Sequence, residues 1–315
     1  MDRLSQAIGG PRIWIKRDDC TGLAMGGNKA RQLEFYIGDA LDKGCDTLLT
    51  TGAVQSNHVR MTVAAARKLG LECEVQLEHR VDGRQPEYED SGNPFLVKLM
   101  GVRAHRYPEG EDEDGADGFL YERAEELKKE GRKPYVIPLA PQHKPLGALG
   151  YVVAMEEMTA QAKALDITID AVVTATGSGS THTGILGGLR ALGNEASVYG
   201  ICVRRNKEPQ HERVCARVRQ LAEMLHIEDR LSEKDVWVDD LDLGHGYGQL
   251  TDGLREAIEL VGVHEGILLD PTYTGKAMAG LLELARRGTW TKDQNVIFIH
   301  TGGTPALFGY PELVE

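Results

Sequence analysis

Apolar and polar positions along this chain follow two rhythms in turn. After Gly26-Gly27-Asn28-Lys29, the residues Leu33, Tyr36, Ile37, Ala40 and Leu41 recur at helical spacing, which predicts an amphipathic helix running to about Gly44. Short β-rich runs lie between such stretches. Residues 47–51 predict a strand, about 58–68 the helix after it, and 72–77 the next strand. Residues 134–139 predict a further strand, followed by a helix over about 149–163. Strands over 169–174, 197–203 and 296–300 complete the set, with helical segments between most of them. This alternation predicts a mostly parallel α/β sheet covered by helices on both faces.

At 315 residues the chain is longer than one core usually holds, so two domains are expected. Residues 44–146 carry strands and helices of their own and are expected to form a small inserted α/β domain, with 1–43 and 147–315 forming the large one. Within that insert, the acidic, glycine-broken run over residues 109–115 reads as a solvated surface loop, because crowded like charges resist packing. A small ligand would sit between the two domains. The net charge of -12 argues against nucleic acid or an anionic membrane as partner, though local potential still permits a small anion. Five cysteines, an odd number with no CxxC spacing, favour a reduced cytoplasmic chain over a disulfide framework or a metal site. No apolar run reaches transmembrane length, and no basic-then-apolar signal opens the chain.

Two features carry chemistry. Lys29 stands at the first turn of its predicted helix and on the apolar stripe. An apolar setting and the positive end of the helix dipole both lower an amine's pKa, which favours a neutral nucleophile able to form a Schiff base. A solvated lysine after a glycine turn is the competing reading. The second feature is the loop Thr174-Ala175-Thr176-Gly177-Ser178-Gly179-Ser180-Thr181-His182-Thr183-Gly184, which follows a β-branched strand and opens a helix. Its small residues let backbone N–H groups converge at a helix N-terminus, and Ser178, Ser180 and Thr181 add hydroxyl donors, so it reads as a phosphate cradle rather than a plain tight turn. No Gly-Lys-Ser/Thr closes it and its glycines do not fit GxGxxG, so neither nucleotide motif is present. A cradle without a nucleotide motif, joined to a Schiff-base lysine, suggests pyridoxal 5'-phosphate.

With those residues in view, the chain resembles the D-cysteine desulfhydrase and 1-aminocyclopropane-1-carboxylate (ACC) deaminase family, of fold type II (tryptophan synthase β-like) among pyridoxal-phosphate enzymes. The likeness rests on Ile15-Lys16-Arg17-Asp18-Asp19, Gly26-Gly27-Asn28-Lys29, Gln55-Ser56-Asn57-His58, the loop from Gly177 to Thr181, Asp270-Pro271-Thr272-Tyr273-Thr274-Gly275-Lys276 and His300-Thr301-Gly302-Gly303. It implies two open, twisted, mostly parallel sheet domains with the cofactor between them, and a homodimer. It also implies roles. Lys29 would attach the cofactor and then move the Cα proton, while Asn57 would hydrogen-bond the pyridoxal 3'-oxygen. Ser56 and the backbone after it would hold the substrate carboxylate, with His58 at the start of the helix that follows. Gly177, Ser178, Gly179, Ser180 and Thr181 would bind the phosphate. Tyr247 and Tyr273 match active-site tyrosines of the family.

Thr274 and Thr301 match positions around the pyridine nitrogen. ACC deaminases carry a glutamate at the first of these, whereas a hydroxyl donates to a neutral nitrogen and suits β-elimination. The resemblance therefore implies a β-eliminating carbon–sulfur lyase acting on a small amino acid, D-cysteine foremost, to give pyruvate, ammonia and sulfide. One stretch departs from the family. Leu139-Ala140-Pro141-Gln142-His143-Lys144-Pro145-Leu146-Gly147 replaces a shorter turn, and Gln142, His143 and Lys144 become candidates for binding an anionic β-substituent, as in a cysteate sulfo-lyase. An exposed loop unrelated to substrate is the alternative. ACC deamination and a non-catalytic cofactor-binding protein also stay open.

Overall fold

The computed structural model describes residues 1–314. In chain order its strands are β1 (Arg12–Arg17), β2 (Thr47–Ala53), β3 (Glu72–Glu78), β4 (Arg103–Tyr107), β5 (Pro134–Ile137), β6 (Ala171–Thr176), β7 (Ser197–Cys202), β8 (Trp237–Asp239) and β9 (Asn295–His300). The α-helices are α1 (Asp2–Ile8), α2 (Lys29–Asp42), α3 (Asn57–Leu69), α4 (Pro86–Asp90), α5 (Asn93–Leu99), α6 (Glu113–Lys129), α7 (Leu149–Ala164), α8 (Ser180–Ala191), α9 (Lys207–Leu225), α10 (Asp252–Glu265) and α11 (Thr274–Arg286).

The strands form a five-stranded sheet, ordered β1-β9-β6-β7-β8, and a four-stranded sheet, ordered β4-β3-β2-β5. Every pairing in both is parallel. Parallel strands are buried on both faces, so their sequences run apolar rather than alternating. β2, β6 and β9 follow this rule, with every residue buried. Tyr151, Met155, Ile185, Leu189, Val214 and Val218, from α7, α8 and α9, pack one side of the five-stranded sheet. Leu4, Ala257, Val261, Met278 and Leu281, from α1, α10 and α11, pack the other. The four-stranded sheet has α6 on one side through Leu120, Ala124 and Leu127, and α2 with α3 on the other.

Three strands escape the hydrophobic pattern. β4 has no fully buried residue, β8 is three residues long and β1 is charged at both ends. All lie at sheet edges, where a strand needs to bury little and its apolar signal fades. The strand expected over 169–174 is displaced: Ile169 is buried but precedes β6, which runs on to Thr176. Around the domain boundary expected after residue 43, α2 packs both on α7 and on the smaller sheet. Leu33, Ile37 and Ala40 of α2 share a core with Leu48, Val59 and Val75.

Candidate active site

In parallel sheets the strand C-termini face one way, and ligands gather beyond them. Here the ends of both sheets converge on one cavity of about 80 Å³. β2 delivers Thr51, Gly52 and Ala53 to its wall, and β3 leads to Arg80. From the larger sheet, β6 leads to Ala175, Gly177, Ser178 and Gly179, β7 to Arg204 and β9 to Thr301.

Lys29 is half-buried on this wall at the first residue of α2. The turn before it accepts only glycine: Gly26 has φ +71, and a Cβ there would lie 1.9 Å from the Asp19 carbonyl oxygen. Buried Asp18 anchors the turn by accepting the Gly27 N–H on its carbonyl, while its carboxylate takes a bidentate pair from Arg31 and a bond from Tyr151 Oη. Burial, then the Arg217 guanidinium, pulls the Lys29 amine down to about 8. Its Nζ donates to Gln32 Oε1 at 3.1 Å.

Gln32 ties Lys29 to the loop after β6. Thr181 Oγ1 accepts from Gln32 Nε2 at 2.8 Å and Asn28 Nδ2 at 2.9 Å. With both lone pairs engaged, the hydroxyl's own proton is free to donate into the cavity. Gly179, at φ +89, ends the loop, and the first intrahelical bond of α8 runs from Thr183 N–H to Gly179 O. The N–H groups before it have no intrahelical acceptor, as at any helix start. The loop carbonyls are drawn the other way, that of Gly177 by Arg205 Nη1 at 3.3 Å and that of Ser178 by Arg213 Nε at 3.1 Å. Ser180 lies behind this wall and faces an adjoining cavity of about 20 Å³ with Lys29 and Arg217.

Ser56 caps α3, its Oγ accepting from Val59 N–H at 3.2 Å. Gly52 must be glycine here, since a Cβ would sit 2.5 Å from that Oγ. The Asn57 amide is fixed in orientation: its Oδ1 accepts from Arg60 Nη1 at 2.9 Å and Asn93 Nδ2 at 3.1 Å, which leaves Nδ2 to donate into the cavity. Arg60 also donates to the Gly26 carbonyl at 2.8 Å and so joins Asn57 to the lysine turn. His58 lies beside them, its Nε2 2.9 Å from Thr50 Oγ1. Thr50 donates its own proton to the Ile137 carbonyl, so His58 carries its hydrogen on Nε2. Burial, and then Lys29, holds the imidazole at about 3, neutral at ordinary pH.

Tyr247 and Tyr273 close the far side, with their hydroxyls 2.8 Å apart. Burial raises both phenols above their ordinary value. Thr301 lines the cavity and accepts the Asn28 N–H on its carbonyl.

Besides Ser180, four expected residues do not reach this wall. Thr274 is buried away from it: its hydroxyl donates to Asp270 Oδ1 at 2.7 Å and accepts the Asp270 N–H at 2.7 Å, so it has no proton left for a ring nitrogen. Gln142 is exposed and donates to Asp114. His143 lies 3.6 Å from Asp117 against the Tyr121 ring, and Lys144 lines a separate surface groove with Tyr36 and Asp39. The Pro-bounded loop turns outward because Arg213 and Arg217 hold the Leu139 carbonyl, leaving only Leu139 in the cavity.

Sequence reasoning missed Arg80, Arg204 and Glu113, all of which line the cavity. Glu113 belongs to the acidic run expected to be a solvated loop. It is instead largely withdrawn from solvent, paired with Arg204, with Arg205 at 2.7 Å and with Arg213 at 2.7 Å. Burial pushes its carboxyl up, but these guanidinium groups outweigh it and hold the group at about 2. A charged residue just past a buried parallel strand was the available signal for both arginines.

The donors present fit pyridoxal phosphate: a helix-start cradle with inward N–H groups and the free Thr181 proton for the phosphate, Asn57 Nδ2 for the phenolic oxygen and Lys29 for the aldehyde. Among the described residues, no cluster of His, Cys, Asp or Glu suits a metal, and no helix is long and apolar enough to cross a membrane.

The comparisons with known proteins agree with this chemistry. Residues 1–302 match the family model described as pyridoxal-phosphate dependent enzyme. The chain is 43% identical over 313 residues to a Pyrococcus abyssi (strain GE5 / Orsay) protein provisionally named 1-aminocyclopropane-1-carboxylate deaminase, covering 99% of this chain and 90% of that one. It is 42% identical over 310 residues to a D-cysteine desulfhydrase of Yersinia pestis (strain Pestoides F), covering 98% and 92%. The crystal structure of an ACC deaminase homologue superposes with a TM-score of 0.88 at 39% identity, covering 100% of this chain and 91% of that one. Two parallel sheets, a cradle at a helix start and a lysine beneath it thus belong to a chain that is a member of the pyridoxal-phosphate dependent enzyme family.

Proposed function

We propose that this protein is a β-eliminating lyase of the D-cysteine desulfhydrase type, converting D-cysteine and water to pyruvate, ammonia and sulfide. The observation that carries the reading is the meeting, in one cavity, of a lysine amine near 8 with a hydrogen-bonded tyrosine pair. When bound, the cofactor supplies a ring that accepts the electron pair left at Cα. The remaining work falls to the chain. The start of α3 binds the substrate carboxylate, since the Asn57 and His58 N–H groups precede the first bonded donor of that helix. Neutral Lys29 takes the Cα proton. Tyr247 and Tyr273, sharing one hydrogen bond, deliver a proton to the departing sulfur. Thr301 is the one of the two threonines that lines the cavity, and it would offer the ring a hydroxyl rather than a carboxylate, which favours rapid β-elimination over ring opening.

ACC deamination is the second reading, favoured by the name of the Pyrococcus relative. Pyruvate and sulfide released in equal amounts from D-cysteine, with little 2-oxobutyrate from ACC, is the expected outcome for the cofactor-loaded protein. A dominant 2-oxobutyrate rate would overturn the first reading in favour of the second. Bound cofactor without turnover of any small amino acid would leave a non-catalytic binding protein. A cytoplasmic homodimer completes the proposal, the compartment supported by the odd cysteine count without CxxC spacing and the dimer by family resemblance alone.

A further inference from the structure

We propose that Arg217 supplies the positive charge for the cofactor's phosphate from behind the loop after β6, and so makes the protein take pyridoxal 5'-phosphate in preference to its dephosphorylated form. This role is independent of which substrate is turned over. A phosphate monoester carries about two negative charges at neutral pH. The loop over residues 174–184 holds no lysine or arginine, and burial keeps its His182 neutral, at about 4. Backbone N–H groups and hydroxyls therefore face that charge with no cation among them. Lys29 does not fill the role, because its amine goes to the aldehyde.

Arg217 stands on α9, one turn after Arg213 and on the same face. It is 3% exposed. Its Nη2 donates to the Leu139 carbonyl at 3.1 Å, and its Nε has no protein acceptor among the described residues. Burying a charge so incompletely met is costly unless a bound group completes it. The carboxylates that act on it from nearby are committed elsewhere. Glu113 is held on both oxygens by Arg204, Arg205 and Arg213, and Asp117 accepts the Leu139 and Ala140 N–H groups.

The guanidinium lines the adjoining cavity of about 20 Å³ with Lys29, Ser178 and Ser180. That space suits one group the size of a water molecule or a phosphate oxygen. Lys29 and Ser178 line the main cavity as well, so the two spaces meet at the loop. Arg217 also packs against the loop's backbone: a Cβ on Gly179 would lie 3.2 Å from its Cδ. The other arginines beside the loop are spent. Arg205 and Arg213 donate to the Gly177 and Ser178 carbonyls and to Glu113. An incompletely paired, buried guanidinium against an anion cradle that lacks a cation is the juxtaposition that carries the assignment.

The test is ligand binding to the cofactor-free full chain, read by cofactor absorbance and by thermal midpoint, in wild type, Arg217→Met and Arg217→Lys. The probes are pyridoxal 5'-phosphate, pyridoxal and inorganic phosphate. Arg217→Met removes the charge while the Leu139 carbonyl keeps its bond from Arg213 Nη2 at 2.8 Å. The Kd for pyridoxal 5'-phosphate should rise roughly 10- to 100-fold in Arg217→Met, and that for pyridoxal should change less than about threefold. Arg217→Lys should fall between wild type and Arg217→Met. Inorganic phosphate should raise the thermal midpoint of wild type more than that of Arg217→Met. Equal weakening of both pyridoxal forms marks a merely structural role and overturns the proposal, as do an unchanged Kd for pyridoxal 5'-phosphate and equal phosphate shifts. Should Arg217→Met fail to fold, Arg217→Lys decides: it should weaken pyridoxal 5'-phosphate and spare pyridoxal, and parallel losses or none overturn the proposal. None of these readouts depends on turnover, so their failure leaves the lyase reading standing.

Discussion

An amine attacks an aldehyde only while it is neutral, and Lys29 is kept near neutrality first by burial and then by Arg217. In the cofactor-free protein, capture of pyridoxal phosphate should therefore rise with pH and reach half its plateau near 8. Stopped-flow absorbance would check this. A midpoint near the ordinary lysine value of 10.5 would contradict the account. Lys29 could be read from sequence because its glycine turn and apolar stripe are local features. Arg60, which fixes the direction of the Asn57 amide, could not, because its partners Gly26 and Asn93 are distant in the chain. Thr274 shows the opposite error. The resemblance puts it at the ring nitrogen, but in the fold it is buried away from the cavity and Asp270, four residues earlier, takes its proton.

Elements place these residues by their ends. Tyr247 sits on an irregular loop, held from beneath by buried Lys276 of α11, whose Nζ donates to the Leu243 carbonyl at 2.6 Å and the Gly246 carbonyl at 3.0 Å. Lys276→Met should free that loop and lower kcat roughly tenfold or more while cofactor affinity stays near that of wild type. The same substitution has a pH signature. Burial lowers the Lys276 pKa from 10.5 to about 8, so between those values the unfolded chain binds more protons than the folded one. Stability from this group thus rises with pH across that window and falls as pH drops toward 8. Denaturant midpoints at pH 8 and 9.5 should climb more in wild type than in Lys276→Met, and equal climbs would contradict the assignment. The helices and central strands were legible because each buries a periodic or continuous apolar run. Glu113 was not. Its acidic neighbours mark a solvated loop, and only the fold brings Arg204, Arg205 and Arg213 around it.

At the scale of the molecule, two parallel sheets point their strand ends at one cavity, and each sheet supplies what the other lacks. The four-stranded sheet contributes Ser56, Asn57 and Arg80, and the five-stranded sheet contributes the phosphate loop and Thr301. Strand–helix alternation was enough to predict parallel sheets. It did not reveal that α2 joins the core of the smaller sheet, because its apolar stripe is equally consistent with either partner. The central claim is that this shared cavity eliminates a β-substituent through the Lys29 amine. Its most direct test compares wild type with Lys29→Ala, both incubated with pyridoxal phosphate, for pyruvate and sulfide released from D-cysteine. Wild type should release the two products in equal amounts and Lys29→Ala neither. Matching release by the variant, or wild-type sulfide without pyruvate, would contradict the account.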